Sequence, residues 1–112
     1  MQTTALSQEI AELHANLCSA LADPTRLLLL YALSDEACNV TELTQKLELP
    51  QPTISRHLKV LRESGLVRAT RQGALVQYEL ADGRVIEALD ILRSVLRDRI
   101  QSRAALVNDL NP

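Results

Sequence analysis

Apolar residues recur along this chain with a helical period, and the gaps between the runs carry turn chemistry. Leu6, Ile10, Leu13 and Leu17 are spaced 4, 3 and 4 apart, which sets them on one helix face. Ser7 stands near the start of that helix as a candidate cap. Asp23-Pro24 then punctuates, because Asp can cap the next helix and Pro is tolerated in its first turn. From Thr25 to about Leu33 the chain is apolar nearly all round, which predicts a helix at the centre of the fold. Thr41 to Leu47 reads as a short third helix with Leu43 and Leu47 on one face, capped by Thr41 or its neighbour. Glu48 to Gln51 forms a tight connection, and Pro52 opens a fourth helix that runs to about Ser64. Its inward positions are Ile54, Leu58 and Leu61, with Gly65 as its stop.

The period then changes. Leu66 to Arg71 and Ala74 to Leu80 flank Gln72-Gly73 and contain the β-favouring Val67, Val76 and Tyr78, which predicts a hairpin. Asp82-Gly83 precedes a long last helix with Val85, Leu89, Leu92 and Leu96 in a 4, 3, 4 spacing, extended by Ile100. The final residues, Asn108 to Pro112, are expected to fray.

A chain of 112 residues holds one domain with one core, and not a catalytic domain beside a regulatory one. Tyr31 and Tyr78 are its only aromatics, so the core is built from aliphatic side chains, which suits packed helices. The longest unbroken apolar stretch, Leu27 to Leu33, is far short of the roughly 20 residues of a spanning helix, so no membrane is expected. The expected setting is the cytoplasm. Cys18 and Cys38 fit a reducing compartment better than a disulfide framework.

The net charge of −2 conceals a strong asymmetry. Between Gln51 and Tyr78 the bases Arg56, Lys59, Arg62, Arg68 and Arg71 face the single acid Glu63, a local charge of +4. The rest of the chain carries −6. Phosphates respond to the local field of a docking face, so an acidic average does not exclude a nucleic-acid partner.

Two short helices, a brief connection and a basic hairpin match a DNA-reading arrangement. The second helix of such a pair can lie in the major groove, which admits a helix and displays distinct base edges. At about 100° per residue, Arg56 and Lys59 project opposite the Ile54, Leu58 and Leu61 stripe, with Thr53 and Ser55 on the flanks. Gln51, Thr53, Ser55 and Arg56 are the candidates for base edges. Arg68 and Arg71, with Gln72 at the tip of the hairpin, are candidates for backbone phosphates. Arg56 or Lys59 alone more often belongs to a solvated helix face; the combination with hydroxyls, a Gln-Pro start and a basic hairpin favours DNA. His57 reads equally as a packed or capping residue and as a DNA contact.

The run LADPTRLLLLYAL, followed by VTELTQKLELPQPTISRHLKVLRESGLVRATRQGALVQYEL, closely resembles the ArsR/SmtB repressors. The similarity covers roughly Leu21 to Leu80. It implies a mostly α winged helix-turn-helix with a small β-hairpin wing and about five helices, and repression by occupying double-stranded operator DNA. The DNA-reading unit spans about 40–80. Pro50 departs from the pattern, standing where many members have a capping Ser.

The first and last helices, about 6–21 and 83–106, carry apolar faces that the reading unit does not need. Ile86, Ile91 and Val95 widen the face of the last one, as expected of a homodimer paired through these helices.

Many members of the resembled family release DNA on binding a metal or metalloid. The thiolate site known on the third helix aligns with Asn39-Val40-Thr41, where both thiols are missing. The site known on the last helix begins with Asp82-Gly83-Arg84, but Arg84 replaces the imidazole and no His follows. What remains is His14, Cys18 and Cys38. His14 and Cys18 lie four apart on one helix face, a spacing that can hold a soft or borderline metal, and Cys38 lies just before the third helix. As(III), Cd(II) and Zn(II) are the ions such donors would take. Thiol redox sensing and purely structural cysteines stay open beside this reading. No phosphate-binding loop, nucleophile triad or carboxylate pair suggests an enzyme.

Overall fold

The computed structural model describes residues 2–110 of the chain. Its elements are α1 (Gln2–Glu12), a π-helical segment (Leu13–Cys18), α2 (Ser19–Leu21), α3 (Pro24–Asp35), α4 (Val40–Leu47), α5 (Gln51–Glu63), β1 (Val67–Gln72), β2 (Leu75–Leu80) and α6 (Arg84–Leu110). They fall into two compact units, Met1–Asp82 and Gly83–Pro112.

The first helix is continuous from α1 to α2, since the backbone at Glu12, Cys18 and Ser19 keeps right-handed helical angles. It is wound wider over Leu13–Cys18. Ser19 shows why: its hydroxyl donates to the Ala15 carbonyl at 2.6 Å, while its amide reaches one residue further back, to the His14 carbonyl. A side chain that takes the i−4 acceptor favours such a bulge. Ser7, read as a starting cap, lies inside the helix instead.

Asp23 caps α3 as expected, accepting from the Arg26 amide at 3.1 Å, and Pro24 occupies the first turn. Leu29, Leu30 and Leu33 are buried, whereas Leu28 remains 55% exposed. An all-round apolar sequence is thus covered on one side only within unit 1.

The cap of α4 is Asn39, not Thr41. The Asn39 side chain accepts from the Glu42 amide at 2.8 Å, and the Glu42 carboxylate accepts from the Asn39 amide at 2.9 Å. This reciprocal box satisfies two otherwise orphaned donors and starts the helix one residue earlier than the apolar pattern suggests. Asn39→Ala is expected to lower stability by about 1 kcal/mol, read as a shift of the urea midpoint at unchanged slope.

Glu48 ends α4 in the left-handed region at φ 54° and reverses the chain toward α5. Pro50 precedes the first turn of α5 and supplies no side-chain cap. Ile54, Leu58 and Leu61 of α5 are buried together with Leu43 of α4, and α5 packs against α3, α4 and β1. Gly65, at φ 80°, makes the turn from α5 into the hairpin.

β1 and β2 pair antiparallel with Val67 opposite Leu80 and Gln72 opposite Leu75. The connecting pair is therefore Gly73-Ala74 rather than Gln72-Gly73. Gly73 at φ 63° meets the requirement of a type II′ turn for glycine at the first central position. Cys38 adds a short antiparallel bridge to the hairpin: its amide donates to the Tyr78 carbonyl at 3.0 Å, and the Tyr78 amide returns a bond at 2.8 Å. A two-stranded hairpin is marginal alone. This bridge and the packing of β1 on α5 and β2 on α3 hold it in place.

In the second unit, α6 spans 27 residues, about 40 Å. Its exposed apolar residues include Ile91, Leu92, Val95, Leu96 and Ile100. The helix continues through Asn108 to Leu110, where fraying was expected; residues 111 and 112 lie outside the described range. In the first unit, Leu6, Ile10 and Leu13 are likewise exposed. No helix among the described residues is long and apolar enough to cross a membrane.

Candidate nucleic-acid interface

The buried stripe of α5 decides what the helix presents outward. Because Ile54, Leu58 and Leu61 are held in the core, Gln51, Arg56 and Lys59 are exposed and Thr53 and Ser55 half-exposed. Gln51 donates from Nε2 to the Ser55 hydroxyl at 2.9 Å, one turn along the helix. Two base-edge candidates are thereby held relative to each other before any partner arrives. Lys59, 78% exposed, lies 4.0 Å from Glu63, a separation at which solvent leaves little pairing energy. Among the described residues Arg56 and Arg71 pair with no carboxylate.

On the wing, Arg68 stands opposite Glu79 and the two form an ion pair at 3.3 Å. Arg71, Gln72 and Gly73 form the exposed tip. Arg68 is thus held by a strand neighbour, while Arg71 has no carboxylate partner among the described residues.

His57 is turned inward. Its side chain is 12% exposed, and Nδ1 lies 3.3 Å from Arg26 Nη1 and 4.0 Å from Asp23 Oδ1. Arg26 also donates from Nε to the Ala20 carbonyl at 2.6 Å and from Nη2 to the Ser19 carbonyl at 3.2 Å. The Arg26 amide, bonding to Asp23, holds that carboxyl below its ordinary value against an opposing effect of partial burial. Arg26 did not stand out in the sequence, although its place three residues after a capping Asp is a usable signal.

The three candidate sensor residues are distributed differently from one another. His14 and Cys18 are both exposed on the π-helical segment. Cys38 is fully buried in the core, and its thiol is directed at the Glu36 carbonyl at 3.4 Å. Lys46 Nζ lies 3.4 Å from Cys38 Sγ and 2.7 Å from Glu36 Oε1. Hydrogen bonding to Glu36 and then to Cys38 raises the Lys46 ammonium above its ordinary value, and the same Lys46 contact lowers the Glu36 carboxyl. Among the described residues no group of three or more His, Cys, Asp or Glu is gathered for a metal ion. Two exposed donors are fewer than the three or four protein ligands of a zinc site, so one chain does not fit such an ion.

A helix-turn-helix whose second helix shows cations and hydroxyls, followed by a basic two-stranded wing, defines the winged helix-turn-helix class of DNA-binding protein. Known proteins agree. The profile described as "Bacterial regulatory protein, arsR family" matches residues 23–69. The HTH-type transcriptional regulator CmtR of Mycobacterium tuberculosis is 45% identical over 82 residues, 73% of this chain and 70% of that one. The biofilm growth-associated repressor of Agrobacterium fabrum is 44% identical over 78 residues, 67% of each chain. The solution structure of a homodimeric winged helix-turn-helix DNA-binding domain from Mycobacterium bovis, a possible ArsR-family regulator, is also similar. Its TM-score is 0.71 at 25% identity, over 90% of both chains. This chain belongs to the ArsR family of bacterial regulatory proteins, which are DNA-binding transcription regulators and not enzymes.

Proposed function

We propose that this chain is a transcriptional repressor that occupies a two-fold operator as a homodimer. The observation that carries this reading is the outward face of α5, where Gln51, Thr53, Ser55, Arg56 and Lys59 stand over a fully buried aliphatic stripe. Gln51, Thr53, Ser55 and Arg56 read base edges in the major groove, while Lys59, Arg68, Arg71 and Gln72 bind phosphates. The exposed apolar faces of the first helix and of α6 pair with those of a second copy, and the two copies place two recognition helices on half-sites one helical turn apart.

The test is a fluorescence-anisotropy titration of the full chain against DNA from its own upstream region. If Lys59, Arg68 and Arg71 of both protomers each engage a phosphate, log K falls against log salt with a slope of about −5. A slope near zero, or equal affinity for scrambled DNA, sinks the operator reading.

Release of the operator by a soft metal or metalloid is the finer reading, and it rests on exposed Cys18 beside His14 with further donors from the second copy. Buried Cys38, tied to Tyr78 through its backbone, suits a structural role. The same titration with As(III), Cd(II), Zn(II) or an oxidant decides this, using Cys18→Ser and Cys38→Ser. Release that survives Cys18→Ser removes the reading.

A further inference from the structure

We infer that Arg26 is the positioning residue that fixes the recognition helix against the end of the first helix, and that it does so only while His57 Nδ1 carries no proton. The inference rests on the proposed DNA reading and adds to it a connection between the two ends of the machine.

Arg26 leaves the first turn of α3 and reaches two other elements. Its Nε and Nη2 bind the Ala20 and Ser19 carbonyls at the C-terminal end of the first helix, at 2.6 and 3.2 Å. Both carbonyls lie in the last turn, at the negative end of the helix dipole, and Ser19 accepts there only a long bond of 3.4 Å from the Ala22 amide, so a guanidinium is favoured. Its Nη1 faces His57 Nδ1 at 3.3 Å, in the middle of α5. One planar side chain thus joins the helix bearing the exposed Leu6, Ile10 and Leu13 face to the helix bearing the DNA-reading face. Its backbone is pinned at the same time by the Asp23 cap.

A guanidinium has five donors and no acceptor. The Arg26–His57 contact therefore has one possible sense: arginine donates and Nδ1 accepts. This sets the imidazole as the neutral tautomer with its hydrogen on Nε2. A proton on Nδ1 would set donor against donor and cation against cation at 3.3 Å. Among the described residues, Arg26 and Asp23 are the charged groups that hydrogen-bond or ion-pair with the ring. Asp23 Oδ1, at 4.0 Å, is the acceptor a protonated ring would turn to, in competition with the cap of α3. Protonation thus loosens the link between α5 and the first helix. Base-edge contacts need side chains held to within about 0.5 Å, so a shift there weakens reading.

The sign makes this testable. A positive charge added to a DNA-binding helix strengthens its attraction to phosphates. The Arg26 link demands the opposite, weaker binding as the imidazole gains its proton.

The experiment is the anisotropy titration of the full chain on its upstream DNA at fixed salt, with the pH lowered from about 8 until nitrogen-15 spectra show a proton on both ring nitrogens of His57. Kd for the wild type is expected to rise about tenfold on acidification, the size expected for loss of a hydrogen bond to a charged group. His57→Asn puts a carboxamide oxygen near the Nδ1 position, accepts from Arg26 without titrating, and is expected to lose this pH response. His14→Asn, at the chain's other imidazole, retains it. Arg26→Lys, whose single ammonium cannot span three acceptors, weakens binding about tenfold at pH 8 and is flat with pH. Circular-dichroism melts at each pH separate lost folding from lost positioning, because the folded fraction must stay unchanged across the titration range. Nitrogen-15 spectra of His57 provide a second measurement and should show the Nε2–H tautomer at pH 8. A wild type that tightens on acidification, an Arg26→Lys variant that binds as wild type, or an Nδ1–H tautomer overturns the inference while leaving operator binding intact. A wild type with no preference for its upstream DNA at pH 8 overturns the DNA reading itself.

Discussion

Arg56→Ala is expected to weaken specific operator binding by about 2–6 kcal/mol per dimer, roughly thirtyfold to twenty-thousandfold in Kd. The range follows from about 1–3 kcal/mol for a bidentate arginine–base contact, counted once in each half-site. Arg56 is exposed and paired with no carboxylate among the described residues, so its removal leaves no buried charge behind. The opposite face of α5, where Ile54, Leu58 and Leu61 are buried, is untouched. The melting transition should therefore stay within about 0.5 kcal/mol of wild type. Anisotropy titrations on the operator and on a scrambled duplex separate two kinds of contact. A loss confined to the operator marks base reading; the same loss on both marks Arg56 as a phosphate contact. An unchanged Kd on the operator removes Arg56 from the interface. Lys59→Ala is the contrasting case, since loss of a phosphate contact weakens binding to any sequence and reduces the salt slope.

Leu58→Ala is expected to lower folding stability by about 2–5 kcal/mol, the range for emptying a buried leucine site. Leu58 is 1% exposed and lies between Ile54 and Leu61 on the face of α5 that meets α3, α4 and β1. A cavity there cannot be filled by a small movement of one neighbour, because three elements would have to close on it. Operator affinity should fall with stability, since the same helix carries the reading face outward. Leu58→Met conserves volume and should cost less than about 1.5 kcal/mol. Urea titrations at fixed protein concentration give both values, the concentration being held because dimerisation shifts the apparent stability. A loss below about 1 kcal/mol for Leu58→Ala would mean that the site collapses freely and that α5 is not anchored through this stripe.

Much of the winged helix-turn-helix fold was legible without coordinates. The 4 and 3 spacing of Ile54, Leu58 and Leu61 decides which side of α5 is buried, and hence that Gln51, Arg56 and Lys59 face out. Asp23-Pro24 marks the start of α3 for a local reason, a side chain accepting an amide three residues on. The hairpin was visible as a change of period, although its turn moved by one residue to the position where Gly73 supplies the positive φ. The α4 boundary moved as well, because Asn39 and Glu42 form a reciprocal box that the apolar pattern does not register.

What sequence alone determined is local: periodicity and capping act over three or four residues, so they settle which residues form helices and which sides those helices bury. What only the tertiary structure decided is polar and long in range. Arg26 meets His57 across 31 residues and turns a candidate DNA contact inward. The backbone of Cys38 joins Tyr78, and its thiol is buried 3.4 Å from Lys46 Nζ, whereas Cys18 is exposed. Hydrogen-bond partners at such separations depend on where whole elements pack, and no spacing rule along the chain encodes that.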